Sequence, residues 1–124
     1  MAGGRPAIIE REPVPLADTE LVARLFRVLG DATRIRIVEL LVEEGELHQM
    51  EIVRRTGATQ ARISEHMACL VWCGFVDARI EGRRTFYRVT NRRVRTLLEK
   101  AKQFLEQNEA QIATCRRLDG GRNN

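Results

Sequence analysis

Apolar residues recur at helical spacing through most of the chain, and glycines cut the pattern into separate pieces. Leu21, Val22, Leu25, Phe26, Val28 and Leu29 predict a first helix over 18–29 that stops at Gly30. Asp31 stands where an N-cap belongs, ahead of a second helix from 32 to about 44. There Ile35, Val38, Leu41 and Val42 are expected to face inward and Arg34, Arg36 and Glu39 outward. Gly45 ends it, and a third helix from about 47 to 56 offers Met50, Ile52 and Val53 to the core. After a break at Gly57 comes the stretch 59–74, which Thr59 can cap and Gly74 can close. A short helix, a glycine turn and a second helix is the order of a helix-turn-helix, whose second helix is the one presented to DNA. On a wheel of roughly 100° per residue, Ile63, Met67 and Leu70 share one narrow, core-facing stripe. Gln60, Ala61, Ser64, Glu65, Ala68 and Trp72 lie around the rest, and Arg62, His66, Cys69 and Cys73 sit on the flank of the stripe.

Beyond Gly74 the period changes from helical to alternating. Residues 75–80 and 85–89 read as two β-prone runs joined by Glu81-Gly82-Arg83-Arg84, a glycine-bearing hairpin tip rich in arginine. This predicts a two-stranded wing that leans on the helical core and projects Arg83 and Arg84 toward a groove or phosphates. Asn91 can cap a last helix in which Val94, Leu97, Leu98, Ala101, Phe104, Leu105, Ala110 and Ile112 form one stripe, continued by Cys115. That stripe, and the apolar surplus of the first helix, exceed what so small a core can cover. The expected architecture is therefore a mainly α winged helix-turn-helix with a two-stranded β wing, dimerising through its N- and C-terminal helices.

Length adds a division of the chain. Its 124 residues make one domain over 18–118, with a flexible arm at 1–17 that carries Pro6, Pro13 and Pro15 and a flexible tail at 119–124. Charge adds a partner. Residues 54–95 hold ten arginines against three acidic residues, a local charge of +7, so that within a total of +4 the remainder nets −3. Basicity concentrated on the helix-turn-helix and wing fits double-stranded DNA. No apolar run reaches the ~18 residues of a membrane span and the first residues lack the apolar core of a signal peptide, so a cytoplasmic protein with no membrane partner is expected. Three cysteines, an odd number, point to thiols or metal ligands more than to a disulfide framework.

With these elements in order, the chain resembles the ArsR/SmtB family of metal-sensing bacterial repressors over nearly all of 18–115. The resemblance is carried by Leu29-Gly30-Asp31-Ala32-Thr33-Arg34-Ile35-Arg36-Ile37-Val38, by Ile63-Ser64-Glu65-His66-Met67 and by Glu81-Gly82-Arg83. Cys69-Leu70-Val71-Trp72-Cys73-Gly74 is similar to the cadmium/lead-sensing branch named CmtR, where two recognition-helix cysteines join a third from the C-terminal region. The resemblance thus implies Cys69, Cys73 and Cys115 as metal ligands. Two other sites of the family are not expected. The third helix has Leu47-His48-Gln49-Met50 where a Cys-x-Cys would stand, and the last helix has no histidine and begins Asn91-Arg92-Arg93-Val94.

The chemistry of the candidate residues is consistent with this. Helix positions four apart bring their Cβ atoms within roughly 5–6 Å, so Cys69 and Cys73 can converge on one ion, although a buried cysteine also serves as a small hydrophobe. Three soft thiolates suit Cd²⁺ or Pb²⁺, with Hg²⁺ a further candidate, better than hard cations. His66 is a candidate fourth ligand, or a contact to phosphate or core, and His48 is expected on the surface. Gln60, Ala61, Arg62 and Ser64 at the start of the recognition helix, with Arg83 and Arg84 on the wing, are the expected DNA contacts. The expected function is repression of an operator by the homodimer, relieved when metal binds the thiols, with mutual antagonism between metal and DNA. Two alternatives remain open: a thiol-redox or persulfide sensor on the same fold, and a winged-helix protein-interaction module with structural cysteines. No catalytic constellation or phosphate loop is present to suggest an enzyme.

Overall fold

The computed structural model describes residues 17–123, with side chains as far as Asp119. The expected arm thus lies outside the described residues except for Ala17, as does Asn124 of the expected tail. Asp31 caps as its position suggests: its side chain accepts a hydrogen bond from the Arg34 N–H at 3.0 Å and starts α2 (Ala32–Glu44), which follows α1 (Ala17–Leu29). That bond also holds the Asp31 carboxyl below its ordinary pKa. Next come a short strand, β1 (Glu46–His48), then α3 (Gln49–Thr56), α4 (Gln60–Trp72), β2 (Asp77–Glu81), β3 (Arg84–Arg88), α5 (Arg92–Ala113) and α6 (Arg116–Asn123).

The core is built where α2, α3 and α4 cross, from Ile37, Val38, Leu40 and Leu41, from Ile52, and from Ile63, Met67 and Leu70. Each of these is essentially sealed from solvent, and burying such a side chain contributes roughly 1.5–3 kcal/mol. The stripe predicted for α4 is thus the one observed. In α3, Ile52 is buried but Met50 is exposed. Arg34, expected to face outward, turns inward and is half-buried.

The wing has three strands rather than two, in the order β1-β3-β2, all antiparallel. Residues 47 and 48, expected in the third helix, pair instead with Tyr87 and Phe86 of β3. The helix starts two residues later, at Gln49, because His48 is its N-cap, with Glu51 reaching back to the His48 N–H at 3.1 Å. His48 is half-buried, its ring edge-on to Phe86 at 5.8 Å. Arg79 binds β2 to β1 through Glu46 at 2.8 Å and lies over the Phe86 ring at 4.6 Å.

On α1 no residue is buried, and Leu21, Val22, Leu25 and Phe26 are exposed. Along α5, Val94 and Leu98 reach the core whereas Phe104, Leu105 and Ile112 do not. Both outer helices therefore present apolar faces that a single chain leaves uncovered. Among the described residues, no helix is long and apolar enough to cross a membrane.

Candidate functional site

The recognition helix α4 is held at both ends by local chemistry. Thr59 accepts from the Arg62 N–H at 3.1 Å, and the turn before it is closed by Gly57 at φ 76°, a left-handed conformation that suits glycine. At the other end Gly74 has φ 88°. The Phe75 N–H donates to the Leu70 carbonyl at 2.9 Å and the Gly74 N–H to Val71 at 3.1 Å, the paired bonds of a Schellman motif. Helix length, and with it the placement of Cys69 and Cys73, is set by these caps.

The N-terminal half of α4 exposes Gln60, Ala61, Arg62 and Ser64. Gln60 shares a cleft of about 590 Å³ with Arg83 and Arg84 of the wing, so the fold brings recognition-helix and wing residues together. Arg54, His48, Gln49 and Thr85 line the same cleft. Ser64 does not stand alone: its hydroxyl oxygen accepts from Gln49 Nε2 at 2.7 Å, and Gln49 Oε1 accepts from the Tyr87 hydroxyl at 3.1 Å. The Ser64 O–H stays available to donate to a phosphate or a base. Arg54 and Gln49 were not among the residues expected from sequence. Their signal is the basic pair Arg54-Arg55 closing α3.

The C-terminal half carries the thiols. Cys69 is half-buried and Cys73, which caps the helix, is exposed; both are free. They lie side by side, close enough to hydrogen-bond, and open onto a cleft of about 820 Å³ between α1 and α4. Leu21, Leu25 and Val28 form its apolar wall, Arg24, Arg27 and Arg34 its charged one, with Trp72 at its edge. Burial pushes the Cys73 thiol up, and the charge and hydrogen bond of Cys69 push it further, against the pull of Arg34 and Arg24. Two soft donors one turn apart on a rigid helix fit part of a thiophilic metal site.

Cys115 is elsewhere. The long helix ends at Ala113, and Cys115 lies half-buried in the break before α6, outside the thiol cleft. Among the described residues no three His, Cys, Asp or Glu side chains converge to hold an ion, so a single chain does not bring Cys115 to Cys69 and Cys73.

His66 is buried on α4, one turn beyond Arg62. Nδ1 lies 3.3 Å from Arg34 Nη1, and Nε2 lies 3.9 Å from Asp31 Oδ1. A guanidinium only donates, so Nδ1 accepts and the proton, assigned from these partners, sits on Nε2 facing Asp31. Arg34 also donates to the Val28 carbonyl at 2.5 Å and to the Arg27 carbonyl at 3.3 Å. One arginine therefore connects the end of α1, the start of α2 and the middle of α4 beside the thiols.

A helix-turn-helix with a basic wing and an exposed recognition helix defines a winged-helix DNA-binding protein. The model of the "Bacterial regulatory protein, arsR family" matches residues 31–78, from the cap of α2 into β2. Over 107 residues the chain is 36% identical to the "Probable mercury resistance operon repressor" of Streptomyces lividans, covering 86% of this chain and 85% of that one. Over 90 residues it is 33% identical to the "Cadmium resistance transcriptional regulatory protein CadC" of Listeria innocua, covering 73% and 76%. A homodimeric winged helix-turn-helix DNA-binding domain from Mycobacterium bovis superimposes with a TM-score of 0.66 at 28% identity, over 86% of this chain and 92% of that one. This chain belongs to the ArsR family of bacterial regulatory proteins.

Proposed function

We propose that the protein is a metal-responsive transcriptional repressor that binds operator DNA as a homodimer in the cytoplasm and releases it when a thiophilic heavy-metal ion, Cd²⁺, Pb²⁺ or Hg²⁺, engages Cys69 and Cys73. One observation carries this reading: a single rigid helix bears exposed Gln60, Arg62 and Ser64 at one end and a thiol pair at the other. The names of the relatives, a mercury resistance operon repressor and a cadmium resistance regulator, support a heavy-metal effector. When bound, such an ion supplies a strong link between soft sulfurs.

Cys69 and Cys73 would hold the ion. The third thiolate, Cys115, does not reach them within one chain, and the uncovered faces of α1 and α5 support its delivery across the dimer, from Cys115 of the partner subunit. Gln60, Ala61, Arg62 and Ser64 would read the major groove, and Arg83 and Arg84 would contact phosphate. Drawing the last turn of α4 toward the sulfurs' new partner shifts the same helix that must lie in the groove. Metal and DNA then weaken each other by one common factor. The redox alternative would use the same thiol pair, of which Cys73 is pushed up by burial and by Cys69.

The test is a thiolate-to-metal absorption titration of the unaltered protein and of Cys69→Ser, Cys73→Ser and Cys115→Ser, followed by metal titration of the protein–operator complex. Stoichiometric binding that all three substitutions weaken, with operator release, is expected. Equal metal affinity for free and DNA-bound protein would sink the mechanism.

A further inference from the structure

The cleft beside Cys69 and Cys73 is out of proportion to a bare ion. Its volume in the single chain, about 820 Å³, lies within the ~300–1,000 Å³ range of small-molecule sites and leaves room for the carrier beside a partner's thiol. Its charge is also of the wrong sign for a free cation. The charged groups that line it are Arg24, Arg27 and Arg34, with no carboxylate among them. Arg34 is engaged by the Val28 and Arg27 carbonyls and by His66. Arg24 and Arg27 are exposed, and among the described residues their side chains make no hydrogen bond or ion pair; Glu20 borders their outer side without pairing. Two unpaired guanidiniums on adjacent turns of α1 thus face a thiol pair on α4 across a cleft of small-molecule size.

Resting on the thiol-sensor reading above, we propose that this cleft receives the metal as a complex with small carboxylate-bearing thiols, whose carboxylates Arg24 and Arg27 hold while Cys69 and Cys73 take over the ion. In a reducing compartment small thiols outnumber any sensor, and a thiophilic divalent ion bound by two carboxylate-bearing thiolates is an anion. Guanidiniums match carboxylates in a planar, two-point geometry. The exposed indole of Trp72 gives the carrier's methylene stem an apolar wall. The transfer is two thiol exchanges with no change of oxidation state. In each, a cysteine S–metal bond forms, a carrier S–metal bond breaks, and the cysteine proton leaves on the departing carrier sulfur.

Trp72, the single tryptophan, lines the cleft and reports on it. The experiment is stopped-flow tryptophan fluorescence of the full-length protein mixed with Hg²⁺ as its bis complex with N-acetylcysteine, which is doubly negative, or with the nearly isosteric N-acetylcysteine amide, which is neutral. At low salt the anionic carrier is expected to transfer on the order of tenfold faster, an advantage that shrinks as salt rises. In the double variant Arg24→Gln/Arg27→Gln the ratio should fall toward one while the final metal stoichiometry is unchanged. Comparing the two proteins removes any intrinsic difference between the carriers. An equal ratio in both proteins, or no carrier preference in the unaltered one, overturns the proposal. The salt dependence in the unaltered protein decides the matter even if the double variant misassembles. Failure of the sensor reading looks different: neither carrier gives a fluorescence change or thiolate–metal absorption, and both proposals then fall.

Discussion

Replacing Arg34 with methionine removes the side chain that joins three helices while keeping the aliphatic stem. Two of the acceptors it would abandon are the Val28 and Arg27 carbonyls, the first bonded at 2.5 Å and the second at 3.3 Å. They stand at the end of α1, where water can replace the guanidinium, so each is expected to cost only about 0.5 kcal/mol. The third acceptor, His66 Nδ1, belongs to a residue 8% exposed and would be stranded. Leaving such a group unsatisfied costs about 1–3 kcal/mol, giving a total near ~2–4 kcal/mol. Arg34→Lys should recover little, since one ammonium cannot meet three acceptors lying in different directions. Urea unfolding at fixed protomer concentration measures the loss, because dimerisation contributes to apparent stability. A double-mutant cycle with His66→Ala isolates the pair and should return about 0.5–3 kcal/mol of coupling. A loss below ~0.5 kcal/mol, or a cycle that closes on zero, would refute the view that Arg34 anchors α4 through His66.

Metal affinity should rise with pH through the neutral range. The Cys73 pKa lies above that of a free thiol, so its proton must leave on binding, and this thiol alone makes the gain approach ~10-fold per pH unit. A flat profile in calorimetry between neutral pH and the thiol pKa would contradict this. The double variant Arg83→Gln/Arg84→Gln should reduce the slope of log affinity against log salt by about 0.9 for each phosphate that is no longer neutralised, as measured by operator binding in graded salt. An unchanged slope would mean that the wing stays off DNA. Phe104→Glu, which places a charge on the uncovered face of α5 where Phe104 is 60% exposed, should leave the monomer fold intact by circular dichroism. Sedimentation equilibrium should then show a weakened dimer, and undiminished association would move the interface elsewhere.

The elements that were legible in the sequence are those set by neighbouring residues. Asp31, Thr59 and Asn91 accept the hydrogen bonds their positions suggest, because capping spans only two or three residues. The core stripe Ile63, Met67 and Leu70 follows from helical period alone. Long-range partners were hidden. β1 has three residues, too few to show alternation, and exists only because β3, about forty residues later, offers it an edge. Arg34 faces outward on a helical wheel and turns inward in the fold because His66, 32 residues away, accepts from it. For the site, the spacing of Cys69 and Cys73 gave the thiol pair, while the arginines beside it depend on how α1 lies against α4. Cys115 continues an apolar stripe with no glycine or proline to break it. The helix nevertheless ends at Ala113, where the Ala110 carbonyl accepts both the Thr114 N–H at 3.1 Å and the Thr114 hydroxyl at 2.7 Å.

The small strand β1 has a kinetic meaning. It welds β3 to the start of α3, and from β3 the Tyr87 hydroxyl reaches Gln49, whose amide reaches Ser64 on α4. Wing and recognition helix, the two proposed DNA-contacting elements, are thereby tied to each other. If both contact DNA as proposed, this tie is expected to make them let go together. Dissociation should be a single event, with the footprints of helix and wing vanishing at the same rate whatever triggers the departure.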